Sequence, residues 1–234
     1  MTEKPVCLIS GVGPGTGSAL SRRFAEGGYR VAMIARTRER LSALEKEIEG
    51  AKGFVCDVTD ETTVNATVAA VSAAMGVPAI LIHNAVGGTF GDFMEIDPAD
   101  LQRNFDINTM GFLYLARACA PAMVAAGCGA IIASGNTSAL RGKPNFAGFA
   151  PTKAAQRILA ESMARTLGPQ GIHVAYIVID AVIDLEWTRK MMPDANDDYF
   201  IQPSSIANTA FDVAHQDRSG WSFNVELRPF GEVW

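Results

Sequence analysis

Short apolar runs alternate along the chain with longer stretches in which apolar residues recur at every third or fourth position. The runs at residues 6–10, 30–35, 54–57, 79–83, 130–134, 173–179 and 221–227 have the length and the β-branched or aromatic content of strands. Helical periodicity follows the first run through Ala19, Leu20 and Phe24, and returns at 38–48, 61–75, 101–126 and 152–167, with 101–126 reading as one long helix. Strands alternating with helices predict βαβ units and a parallel sheet, and right-handed crossovers then place helices on both faces. The expected fold is one doubly wound α/β domain over residues 1–234 with a seven-stranded parallel sheet. The stretch 184–203, rich in Asp, Met and Pro, is the least regular. It follows a strand end, where such folds carry mobile binding loops.

Composition narrows the classes of function. Hydrophobic residues make up 48% of the 234 and charged residues 19%, so a large core can be buried and disorder is disfavoured. Twenty Lys and Arg against twenty-five Asp and Glu give a net charge of −5 with no basic block, which argues against a nucleic-acid partner. Apolar runs such as 174–179 are too short to span a bilayer, and the polar start MTEKP does not read as a signal peptide. Cys7, Cys56, Cys119 and Cys128 show no CxxC spacing and read as reduced thiols of a cytoplasmic protein. No His, Cys or Asp cluster has zinc spacing, so no metal is expected.

Chemistry concentrates first in the turn Ser10-Gly11-Val12-Gly13-Pro14-Gly15-Thr16-Gly17, between the first strand and the first helix. Glycine lets the backbone approach a pyrophosphate with no Cβ in the way, and the helix N-terminus adds unpaired N–H groups and a positive dipole end. Gly11, Gly13, Gly15, Thr16 and Gly17 are therefore candidate dinucleotide-binding residues. A tight structural turn is the alternative.

The spacing of Gly11, Gly15 and Gly17 resembles that of the short-chain dehydrogenase/reductase family, and the resemblance extends over nearly the whole chain. Cys56-Asp57-Val58 looks like the family's Asp-Val after strand three, which implies that Asp57 meets the adenine amino group beside Val58. His83-Asn84-Ala85 followed by Val86-Gly87 looks like its Asn-Asn-Ala-Gly, and Asn108 matches its helix-four asparagine. Lys153 sits where the family carries its active-site lysine. The resemblance implies an oxidoreductase acting on a small carbonyl or alcohol. Asn84 and Ala85 would line its cofactor site, an amide near Val182 would meet the nicotinamide carboxamide, and Lys153 and Asn108 would serve the ribose and a water chain.

Cofactor preference is read from the end of strand two. A carboxylate there would favour NAD(H), and Ile34-Ala35-Arg36-Thr37-Arg38 holds none. Arg36 is expected to pair with a 2′-phosphate, with help from Thr37 or Arg38, so NADP(H) is preferred over NAD(H). Stacking of Arg36 on adenine is the alternative, and Pro14 stands where many NADP-using relatives place a second basic residue.

The catalytic positions break the pattern. The family's tyrosine lies four residues before the lysine, where this chain has Phe149. Some enoyl reductases of the family use a position seven residues before it, which is Phe146. Neither ring has an exchangeable proton. The family serine falls on Asn136, with Ser134 and Ser138 nearby. Asn136 or Ser138 is expected to orient a substrate oxygen, Thr137 or Ser138 to relay through water, and Tyr199 to enter if its loop closes. His83 reads as a packing histidine. Where relatives have Pro-Gly this chain has Ile179-Asp180; Asp180 and Asp184 could do acid–base work near the cleft, with capping of the next helix the plainer reading of Asp184.

Two readings stay open: an active NAD(P)(H)-dependent enzyme with Phe149 in place of the tyrosine, and a silent dinucleotide-binding sensor or partner subunit. The resemblance also implies a homodimer or homotetramer through helices 101–126 and 150–167. An aromatic C-terminus, from Trp221 to Trp234, packs either on a neighbour or on its own core.

Overall fold

The computed structural model describes residues 4–231; Trp234 and residues 1–3 of the polar start lie outside them. Strand β1 (Val6–Ser10) is buried on both faces, as the interior strand of a parallel sheet must be. It leads into α1 (Thr16–Glu26), β2 (Arg30–Ala35), α2 (Arg38–Glu47) and β3 (Ala51–Val55). The third strand thus lies three residues earlier than 54–57 suggested, and Cys56 and Asp57 fall just past its end. Then come α3 (Glu61–Met75), β4 (Pro78–His83) and α4 (Pro98–Phe105). Asp60 caps α3 by accepting from the amides of Thr62 and Thr63, and Asp97 caps α4 with Pro98 in its first turn.

The segment expected as one helix over 101–126 is three pieces. α4 passes into a π-helical turn at Asp106–Met110 and then into α5 (Gly111–Ala126). The run Pro98–Ala126 is long and apolar enough by composition to cross a membrane, contrary to the reading that no stretch was. Here Phe112, Leu115, Cys119 and Met123 of α5 are instead buried in the core beside the sheet. The chain continues with β5 (Gly129–Asn136), α6 (Ala150–Leu167) and β6 (Ile172–Ile179).

The irregular stretch holds a two-stranded sheet of β7 (Val182–Ile183) and β8 (Phe200–Ile201), with α7 (Glu186–Met191) between them. α8 (Pro203–Ala214), which the sequence pattern did not single out, precedes β9 (Asn224–Leu227).

The main sheet has seven strands in the order β3-β2-β1-β4-β5-β6-β9, each pair parallel, as expected. Leu8 of β1 pairs with Ala32 on one side and Leu81 on the other. One face buries Val64, Val68 and Val71 of α3 with Phe112, Leu115 and Cys119 of α5. The other buries Leu20 and Phe24 of α1, Leu41 of α2 and Ile206, Ala210 and Val213 of α8. Strand order reverses between β1 and β4, so crossovers leave on opposite sides and a crevice opens at the carboxyl ends of these strands.

Candidate active site

That crevice is a cleft of about 760 Å³. Its floor is the glycine turn. Gly11 and Gly15 have positive φ, +73° and +118°. A Cβ on Gly11 would also stand 2.4 Å from the main chain of Ala85, so no other residue fits there. Asn84 donates from Nδ2 to the Gly11 carbonyl at 3.0 Å and fixes the turn against β4. Gly11, Gly13, Thr16, Gly17, Asp57, Val58, Asn84, Ala85 and Val182 all line the cleft. Gly15 sits at the N-cap of α1, beneath Leu185. One oxygen of Asp57 accepts from the amide and hydroxyl of Thr59.

At the outer end, Arg36 and Thr37 line the cleft and Arg40 joins them. Arg38 does not: it donates to the Gly53 carbonyl at 2.9 Å and lies near Glu45. Arg40, two residues beyond Arg38 along α2, is a cleft arginine that the strand-end pattern does not reveal. Glycine backbone, the α1 N-terminus and two guanidinium groups form a cradle suited to a dinucleotide.

The inner end is organised from behind. Asn108, fully buried in the π-turn, exchanges bonds with Gly87, accepting from its amide and donating to its carbonyl, both at 2.9 Å. Its Nδ2 also reaches the Thr152 hydroxyl at 2.8 Å. Four residues earlier, Asn104 donates to the carbonyls of Thr89 and Gly148. The expectation that Asn108 meets the ribose is therefore corrected: it stands behind the cleft wall and clamps two loops together. A π-turn supplies the register shift that places it there. The clamped loops carry Phe90, Phe146 and Phe149, packed ring to ring with centroids 5.0 and 5.1 Å from Phe90.

Lys153 lies on the wall of the cleft, 2% exposed. Its Nζ donates to the Ser134 carbonyl at 3.1 Å and to Gln156 Oε1 at 2.9 Å, and stands 5.9 Å from the Phe149 ring centre. Burial lowers its pKa to about 7. Asn136, Thr137 and Ser138 also line the cleft. Asn136 spends its Oδ1 on the Ser138 amide, capping the turn Thr137–Ala139, and its Nδ2 has no partner among the described residues.

Asp180 accepts from the Thr137 hydroxyl at 3.0 Å and lies 3.5 Å from Arg141. Asp184 does not cap a helix; Leu185 occupies that position. It holds Arg189 through two bonds of 2.7 and 2.9 Å and accepts from Gln202, which together pull its carboxyl down to about 2. His83 is buried behind the cleft, bonded to Ser10 Oγ at 3.0 Å, and burial with nearby Lys153 lowers its pKa to about 3. Tyr199 already lines the cleft without further closure.

The model of the short chain dehydrogenase family matches residues 5–191. The chain belongs to this family, whose members are NAD(P)-dependent oxidoreductases. D-erythrulose reductase of Gallus gallus is 32% identical over 168 residues, 71% of this chain and 67% of that protein. L-xylulose reductase of Homo sapiens is 27% identical over 97% of this chain and 95% of its own length. Among solved structures, a metagenomic short-chain oxidoreductase in complex with NADP superposes with a TM-score of 0.85 at 27% identity, covering 98% of this chain and 99% of that one. An NAD+-bound xylitol dehydrogenase gives 0.85 at 25%, covering 97% and 98%.

Proposed function

We propose that this family member is an active, NADP(H)-preferring oxidoreductase of small carbonyl or alcohol compounds. Carbonyl sugars and polyols, as in D-erythrulose and L-xylulose reductases, are the first substrates to try. The observation that carries the cofactor choice is the pair Arg36 and Arg40 on the cleft, at the end of a strand that bears no carboxylate. The glycine turn with Asn84 and Ala85 holds the diphosphate, Asp57 and Val58 flank the adenine, and the Val182 segment faces the nicotinamide. When bound, the nicotinamide supplies or accepts the hydride. Around the reacting centre, the chain's side chains bind and orient the substrate. Asn136 Nδ2 donates to the substrate oxygen without giving up a proton, Ser138 lies beside it, and the Phe90, Phe146 and Phe149 rings keep water from the reacting carbon.

We place the enzyme in the cytoplasm as a homodimer or homotetramer, assembled through the outer faces of α5 and α6. A silent dinucleotide sensor is the second reading, and Phe149 is the observation in its favour. One variant separates the two. With NADPH and a panel of carbonyl compounds, Phe149→Tyr is expected to raise kcat about 10²-fold over a measurable wild-type rate, because a positioned phenol adds acid–base help. A wild type that binds NADPH yet oxidises none of it across the panel contradicts the enzyme reading.

A further inference from the structure

The cleft lacks the family's phenol, and the geometry behind its inner wall points to a substitute. Gln156, fully buried on α6, donates from Nε2 to the main-chain carbonyl of Asn108 at 2.6 Å. That carbonyl belongs to the π-turn Asp106–Met110, where the wider ring changes the usual helical partners. The other end of the same amide, Oε1, accepts from Lys153 Nζ at 2.9 Å and from the Tyr176 hydroxyl at 3.4 Å. Gly135 makes room for this arrangement, since a Cβ there would stand 2.1 Å from the Tyr176 ring. Lys153 is thus tied at two of its three N–H positions, to Ser134 and Gln156, on a cleft wall that Phe149 also lines.

We propose that the ε-amine of Lys153 itself delivers the proton to the substrate oxygen, and that Gln156 is the positioning residue that holds it for the task. This rests on the reductase reading above. As hydride passes to the carbonyl carbon, a C–H bond of the reduced dinucleotide breaks and that dinucleotide is oxidised, a new C–H bond forms on the substrate, and the C=O π pair moves onto oxygen. An N–H bond of the Lys153 ammonium then breaks, an O–H bond forms, and the neutral amine left behind regains its proton from water. Oxidation runs the same steps backwards. The near-neutral pKa of about 7 suits an amine that must hold and release a proton at ordinary pH. The ionisable groups around it do not compete. His83 on β4 has its pKa lowered to about 3, and burial pushes the Tyr176 phenol up, so neither changes charge near neutrality. Asp180 is occupied by Thr137 and Arg141, and Arg157 by Asn224 and Glu161.

The test follows the lysine side chain directly, by NMR of protein labelled at its lysines and free of dinucleotide. One lysine should titrate near pH 7 and be absent from Lys153→Met. Gln156→Leu removes an acceptor from the charged form and should lower that pKa, whereas Gln156→Glu should raise it. The alkaline limb of NADPH-dependent reduction should move the same way by the same amount in each variant, and Lys153→Met should lose about 10²–10⁴-fold in kcat. A purely structural glutamine would change melting temperature without moving the limb in opposite directions. Titration of Lys153 near 10, an alkaline limb that stays fixed while the amine shifts, or one that moves with Tyr199→Phe instead, overturns the proposal. If Lys153 titrates near 7 but nothing is reduced, the reductase reading itself is contradicted; turnover with a fixed limb contradicts only the role given to Lys153.

Discussion

At the scale of single residues, two arginines and one phenylalanine carry most of the functional reading. Arg36 was visible in the sequence because it ends a β-branched run and has no acidic neighbour there. Arg40 was not, because periodicity does not say which face of α2 turns toward the cleft; Arg38 faces the Gly53 carbonyl instead. Charge-assisted bonds contribute about 1.5–3 kcal/mol each. Arg36→Ala is therefore expected to weaken NADPH binding by about tenfold to a hundredfold and leave NADH binding nearly unchanged, as read by fluorescence titration. Phe149 was legible as a gap in a pattern. Gln156 was not legible at all, since its partners lie 48 and three residues before it and 20 residues after it, and only the packing of α6 on the π-turn and the sheet brings them together.

At the scale of elements, the alternation of apolar runs and helical stretches foretold all seven strands of the main sheet. The misses have physical causes. A π-turn keeps the apolar content of a helix while changing its register, so Asp106–Met110 was hidden inside an unbroken pattern. The α8 segment opens with Pro-Ser-Ser, turn-forming residues that resemble a loop, although Ile206, Ala207, Ala210 and Val213 are buried against the sheet. Helix α6 offers the clearest test of assembly. Its Ile158 is 59% exposed, whereas the half-buried Leu159 and Met163 of the same helix pack against the core. If α6 forms the proposed interface, Ile158→Glu is expected to shift the mass in light scattering toward monomer, with NADPH binding retained. An unchanged mass would remove α6 from the interface.

At the scale of the whole molecule, the fold buries ionisable groups in and behind the wall of its binding crevice, and this sets a pH dependence. His83 has an ordinary pKa near 6.5 when unfolded and about 3 in the fold. Between those values the unfolded chain binds more protons, so stability falls as the pH drops through that window, by about 1.4 kcal/mol per pH unit for one fully differential proton. Lys153, near 10.4 unfolded and about 7 folded, acts in the same sense at higher pH. Its contribution makes stability rise from pH 7 toward 10. Lys153→Met should accordingly be more stable than wild type below pH 7, with the difference shrinking as pH approaches 10 in urea melts.

On the reading above, a phosphorylated dinucleotide lies across the glycine turn with its 2′-phosphate between Arg36 and Arg40. Calorimetric titration of the purified protein with NADPH and NADH tests it most directly. One site per chain is expected, at least tenfold tighter for NADPH, with the preference abolished in the Arg36→Ala, Arg40→Ala double variant. Equal affinities, a preference for NADH, or no heat with either would contradict it.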